Sequence, residues 1–270
     1  MSFLSFWFKP KPRPVTVKPK PAPAPPKPEA PMDLGIGLSI TTPQRADSFI
    51  PLALDNPTVF QEGFVGVQMG GRTFYQARDQ DPEKTYSIQR AAGDHFRFEV
   101  QQNDQAQNDA ADRSRAELVE WGTTWARGDR HHIRVIVKRL TEVTDEARWA
   151  GILQLHGANG QGAYNLPQFV MSLYPGRFQF EYRYGATSPG TWAMLDPLYV
   201  TPGSTYTVDL DWITDATNGL LEVKVGGVLH DTYSGPLGFA DEPLGPRLQT
   251  GIYAKNDVEP IAVEVEYVLG

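Results

Sequence analysis

From about residue 58 onward the chain is a succession of short segments in which apolar and polar residues alternate, divided by turn residues. Successive side chains on a strand point to opposite faces, so this alternation marks half-buried strands. Candidate strands lie at 95–101, 132–140, 151–156, 168–174, 177–184, 205–213, 220–225, 247–254 and 261–269. In the last of these, Glu264 and Glu266 alternate with Val263, Val265 and Tyr267, and 134–138 alternates in the same way between Arg134 and Lys138. Pro175-Gly176, Pro202-Gly203, Asn218-Gly219 and Gly226-Gly227 are expected to turn the chain between strands. A short helix is expected only near 141–148. Many short strands at regular spacing predict an all-β domain, a β-jelly-roll sandwich of the concanavalin-like kind.

Composition adds two constraints. Residues 1–31 hold Lys9, Lys11, Arg13, Lys18, Lys20 and Lys27 against Glu29, a balance of +5, so the remainder must carry −12 to give the total of −7. So acidic a body argues against nucleic acid as a partner, and a polyanionic substrate would need a locally basic cleft. Cysteine is absent, which excludes disulfides and thiolate metal sites. No apolar run has the length of a transmembrane helix.

Four regions follow. Residues 1–8 are apolar and aromatic without the layout of a signal peptide. They read either as a sticky terminus or as a peptide that docks Phe3, Phe6, Trp7 and Phe8 into a protein partner. Residues 9–31 carry ten prolines and are expected to form an extended polyproline II spacer. Its extended length would be about 70 Å. Residues 32–57, broken by Pro43, Pro51 and Pro57, are transitional, and 58–270 form the β domain.

Three polar motifs interrupt the apolar strands: Arg113-Ser114-Arg115-Ala116-Glu117-Leu118, Gln154-Leu155-His156 and Gly251-Ile252-Tyr253. Polar residues two apart share one face of a sheet, so one face can carry an arginine, a glutamine, a histidine and a tyrosine together. Taken singly, a strand histidine is usually a hydrogen-bonded residue and a strand tyrosine is usually packing. Arg115 with Glu117 also reads as a surface ion pair. As a set they supply a charge neutraliser, a base and an acid, which is what proton abstraction beside a carboxylate requires.

Arg113-Ser114-Arg115-Ala116-Glu117-Leu118 resembles the Arg-(Ser/Thr)-Glu-Leu motif of the jelly-roll polysaccharide lyases, which include alginate, glucuronan and type I heparin lyases. Gln154-Leu155-His156 is similar to their Gln-Ile-His motif, and Arg247 to Tyr253 to their Tyr-Phe-Lys-Ala-Gly-Val-Tyr segment. The Phe96–Val100 strand, Gly190-Thr191-Trp192, and the hairpin from Asp211-Trp212 to Gly226-Gly227 fall in the same order over residues 58–270. The resemblance implies β-elimination at a uronate. Arg115 and Gln154 would hold the carboxylate, His156 would act as base or neutraliser, and Tyr253 would protonate the leaving oxygen or abstract the proton. Glu117 would orient Arg115. Arg113, Arg247, Gln249, Lys255, Trp192 and Tyr184 are expected to bind the polymer, although Trp192, Tyr182 and Tyr184 fit core packing equally well. The family lysine is Gln249 here and the first tyrosine is Arg247, so a cation has moved two positions along one face.

Other sites are less supported. The 102–112 loop offers Asp104, Asn108, Asp109 and Asp112 to calcium but lacks EF-hand spacing, and it reads as solvated. His131 and His132 are adjacent, so on a strand they face opposite sides. No paired-carboxylate hydrolase pattern or phosphate loop occurs in the required context. The expectation is a cofactor-independent lyase for a uronate polysaccharide, held at a cell or virion surface outside the cell. The alternative is a non-catalytic glycan-binding head on the same scaffold.

Overall fold

A computed structural model describes residues 49–52, 66–78, 81, 83–102, 104, 113–144, 149–157, 166–186, 190–242, 244–255 and 260–269. The sequence readings of segments 1–8 and 9–31, and most of that of 32–57, lie outside them. In chain order the strands are β1 (Ile50–Pro51), β2 (Val67–Met69), β3 (Arg72–Arg78), β4 (Ile88–Arg90), β5 (His95–Val100) and β6 (Arg113–Glu120). They continue with β7 (His131–Arg139), β8 (Ala150–His156), β9 (Pro167–Tyr174), β10 (Arg177–Gly185), β11 (Thr191–Met194) and β12 (Leu198–Tyr199). The last five are β13 (Thr205–Ile213), β14 (Asp215–Val225), β15 (Val228–Phe239), β16 (Arg247–Lys255) and β17 (Ile261–Leu269).

The strands form two sheets. One runs β1-β4-β5-β17-β7-β13-β14-β15, and the other β2-β3-β6-β16-β8-β9-β10 with β11 and β12 on the free edge of β10. Strand β15 belongs to both, because Gly238 and Phe239 pair in parallel with Tyr184 and Gly185 of β10. This is a β-jelly-roll sandwich. Between the sheets lies a core that includes Phe74, Phe96, Phe98, Phe169, Phe178, Phe180 and Trp212, all fully buried. Burying each such side chain contributes about 2–3 kcal/mol.

All nine strands expected from the sequence are present, within two residues at most of their ends. The exception is the start of β14, which begins at Asp215 because Asn218-Gly219 lies inside an irregular strand where Gly219 pairs with Gly235. That dipeptide is therefore not a hairpin turn. Gly226-Gly227 is one: both residues have positive φ (58° and 83°), as a two-residue hairpin turn of the I′ kind requires. Gly70-Gly71 closes the β2–β3 hairpin in the same way and had no counterpart in the sequence reading. The expected helix near 141–148 is not found at Thr141–Thr144, which is irregular, and 145–148 lies outside the described residues. Strand β1 extends the sandwich upstream of residue 58.

The three motifs are brought together by β16, which pairs antiparallel with β6 on one edge and with β8 on the other. A buried Glu120 secures the start of this arrangement. Its carboxylate accepts the Trp125 Nε1–H at 3.0 Å and the Leu248 N–H at 2.9 Å, and it pairs with Arg72. Gly251 sits at the irregularity of the β16–β8 register with φ of 129°. A Cβ there would lie 2.2 Å from the Ala116 carbonyl oxygen and 2.8 Å from the Glu117 Cα. Gly251→Ala is therefore expected to lower the free energy of urea unfolding by about 2–4 kcal/mol, from backbone strain and overpacking together. A change below about 1 kcal/mol would show that the strand relaxes freely at this point.

Candidate active site

Alternation along the second sheet decides what faces the interior. On β6, Ala116 and Leu118 enter the core, so Arg113, Arg115 and Glu117 occupy the opposite face. On β16, Leu248, Ile252 and Ala254 point inward and Arg247, Gln249 and Tyr253 outward. On β8, Leu153 and Leu155 pack in the core while Gln154 and His156 face out. All of these but Glu117 line a cleft of about 590 Å³, together with Tyr75, Trp149, Ser172, Tyr174, Glu181, Arg183 and Trp192.

Cross-strand register sets the order across this floor. Tyr253 lies opposite Arg115, Gln249 opposite Gln154, and Arg247 opposite His156. Beneath them Glu117 is fully buried and acts as a clamp. It pairs with Arg115 Nη1 at 2.9 Å and accepts the Gln154 Nε2–H at 2.7 Å. Buried charge is tolerated when it is paired and hydrogen-bonded, and here the pairing also fixes two cleft side chains. The Tyr253 ring lies between the Arg115 guanidinium, 4.2 Å from its centroid, and the edge of Trp149 at 5.6 Å. Its hydroxyl has no hydrogen-bond partner among the described residues, so it is available to a ligand.

His156 is buried, with its Nδ1 3.4 Å from the Gly157 carbonyl oxygen. A carbonyl only accepts, so this contact suits the tautomer with the proton on Nδ1, which leaves the Nε2 lone pair free. Burial, reinforced by the positive charge of Arg247 and Arg115, pushes the His156 pKa down to about 3. The ring is thus neutral through the whole ordinary pH range. At the far end of the cleft Glu181 accepts hydrogen bonds from Ser172 Oγ at 2.9 Å and Tyr174 Oη at 3.4 Å, and burial raises its pKa. Arg183 stacks 4.2 Å over Trp192. Four arginines and one carboxylate line the cleft, a locally basic surface on an acidic chain.

Of the residues singled out by sequence, Arg113, Arg115, Gln154, His156, Trp192, Arg247, Gln249 and Tyr253 line the cleft. Tyr184 does not. One position on from Arg183, it points to the other face of β10 and stacks with Tyr182 and Tyr233 against the core. Lys255 is exposed at the end of β16 outside the cleft, and Glu117 lies below its floor. Sequence reasoning missed Ser172, Glu181 and Arg183, although they alternate with Met171, Phe180 and Tyr182 in strands it had placed. It missed Tyr75 because strand β3 was not recognised. Asp104 of the acidic loop is buried, paired with Lys84 at 2.9 Å and accepting the Tyr86 hydroxyl at 3.0 Å. Its loop companions Asn108, Asp109 and Asp112 lie outside the described residues, among which no group of three metal-ligating side chains gathers.

Because His156 takes up a proton far more readily when unfolded (ordinary pKa about 6.5) than when folded, acidification favours the unfolded state between those two values. Wild type should lose roughly 2–3 kcal/mol more stability than His156→Gln between pH 7 and pH 4.5. Parallel thermal unfolding of the two proteins across that range checks this. Identical pH slopes would mean that the imidazole is not held neutral.

No known family profile matches the chain, and no curated protein matches it in sequence. Its fold does have solved counterparts. An endo-β-1,4-glucuronan lyase from the fungus Trichoderma reesei superposes with a TM-score of 0.53 at 12% identity, over 77% of this chain and 91% of that one. Alginate lyase A1-II', of polysaccharide lyase family 7, gives 0.51 at 15% identity over 68% and 83%. Alginate lyase AlgAT5 of the same family gives 0.50 at 16% over 83% and 94%. With two sheets in this order and a cleft floored by β6, β16 and β8, the chain has the β-jelly-roll fold of the polysaccharide lyases.

Proposed function

We propose that the protein cleaves a uronate-containing polysaccharide by β-elimination. The observation that carries this reading is the convergence of Arg115, Gln154, His156 and Tyr253 on one cleft, with His156 neutral and the Tyr253 hydroxyl uncommitted. A proton alpha to a carboxylate is too weakly acidic to leave unless the developing enolate charge is stabilised. Arg115 and Gln154, both held by Glu117, present N–H donors to that carboxylate. His156 Nε2 takes the C5 proton, and its electron pair becomes the C4–C5 double bond. The bond from C4 to the glycosidic oxygen breaks, and the oxygen takes the proton of Tyr253. His156 offers a lone pair at neutral pH, whereas the Tyr253 phenol must first lose its own proton. The burial that frees that lone pair also weakens the imidazole as a base, so stabilisation of the enolate carries more of the barrier. No water is consumed and one unsaturated sugar end forms per cleavage.

The basic cleft supports an anionic polymer as the ligand, and the glucuronan and alginate lyases that share the fold support a uronate. The proline-rich 9–31 segment and aromatic residues 1–8 support a head held away from a larger partner, at a cell or virion surface.

The test uses the full chain with alginate, glucuronan, glycosaminoglycans and bacterial capsule preparations, following the ultraviolet absorbance of the unsaturated product. Wild type should produce it on one of them. His156→Ala and Tyr253→Phe should each lower the rate about 10²–10⁴-fold, the range of general acid–base catalysis. Binding without any rise in absorbance would instead establish a non-catalytic glycan-binding head.

A further inference from the structure

Arg115 and Arg247 both lie near His156, yet their electrostatic situations differ. The Arg115 guanidinium is 2.9 Å from the Glu117 carboxylate, which offsets its charge, and its face is taken up by Tyr253. Arg247 has no such partner. Among the described residues no ion pair or side-chain hydrogen bond engages its guanidinium, and its Nε is buried and unsatisfied. A desolvated N–H of this kind is costly to leave unmade, and a guanidinium is built to grip a carboxylate with two parallel N–H donors. Arg247 also stands directly opposite His156 on the adjacent strand, where paired Cβ atoms are about 5 Å apart. Gln249 and Val119, the next cross-strand pair, contribute no charge. Of Arg115 and Arg247, Arg247 is therefore the one whose charge no carboxylate among the described residues offsets.

We propose that Arg247, rather than Arg115, supplies the net positive charge that receives the uronate carboxylate at the point of scission. This rests on the lyase reading above and divides the labour within it. Arg115 and Gln154, clamped by Glu117, orient the carboxylate through hydrogen bonds, while Arg247 closes the ion pair and stabilises the charge that grows as C5 loses its proton. Burial is the main cause of the unprotonated imidazole, and the charge of Arg247 adds to it more strongly than that of Arg115. The moved cation of the 247–253 motif thus takes over a duty at its new position.

The experiment compares wild type, Arg247→Ala and Arg247→Gln on the polymer that wild type cleaves and on the same polymer with its carboxylates methyl-esterified. On the anionic polymer both variants should lose about 10²–10³-fold in kcat/KM, and on the neutral ester less than about threefold. In the variants the acid limb of the rate profile should move to higher pH, since a cation beside the imidazole has been removed. Thermal unfolding of both variants confirms that they fold. Equal losses on the two polymers, or activity within threefold of wild type on the anionic one, would overturn the assignment while leaving the lyase reading intact. If wild type cleaves nothing, calorimetry with a uronate tetrasaccharide and its carboxyl-reduced counterpart decides. A preference for the acid that Arg247→Ala abolishes supports the carboxylate site, and no preference, or one the variant keeps, overturns it.

Discussion

The cleft depends on β16 being hydrogen-bonded along both of its edges. A strand in that position has no freedom to slide: a shift of one residue would carry Tyr253, Gln249 and Arg247 into the core and bring Leu248 and Ile252 into the cleft. Hydrophobic burial on one face thus fixes the polar arrangement on the other. Glu120 adds a polar lock where β6 ends and β16 begins, joining a backbone N–H, an indole N–H and a guanidinium at one buried carboxylate. Gly251 completes the constraint, because β16 passes β6 too closely there for any side chain.

Charge is treated differently on the two sheets. On the outer face of the first, acids and bases neutralise one another in pairs such as Arg134 with Asp209 at 2.6 Å and Lys224 with Asp211 at 2.8 Å. Each joins a cation that reaches toward solvent to a buried carboxylate, so the pairing satisfies the carboxylate where water cannot. In the cleft, arginines outnumber carboxylates, and the excess is concentrated where water is partly excluded. Coulombic effects grow as the local dielectric falls, so a few arginines there outweigh the acidic surface that surrounds them. A negatively charged chain can in this way carry a locally basic cleft.

Much of this was legible from the sequence. Period-two alternation placed nine strands, and the motif residues Arg115, Gln154, His156 and Tyr253 all emerge on one face. What escaped notice had physical reasons. Strand β3 shows little apolar alternation, because its buried positions Phe74 and Gln76 include a polar residue, so Tyr75 went unplaced. Ser172, Glu181 and Arg183 have the ordinary look of a solvent-facing strand side. Tyr184 had the right composition for a sugar platform, but odd and even positions of β10 face opposite ways, and it shares the interior face with Tyr182.

The sequence by itself determined the fold class and the set of chemical groups, because alternation and turn chemistry are local and each strand's inward face is readable from its own residues. It could not determine partnerships. Whether Glu117 neutralises Arg115, whether Arg247 is left unpaired, and whether His156 is neutral all depend on which strands lie side by side. That is decided by long-range pairing and by the desolvation it imposes, and only the tertiary structure contains it.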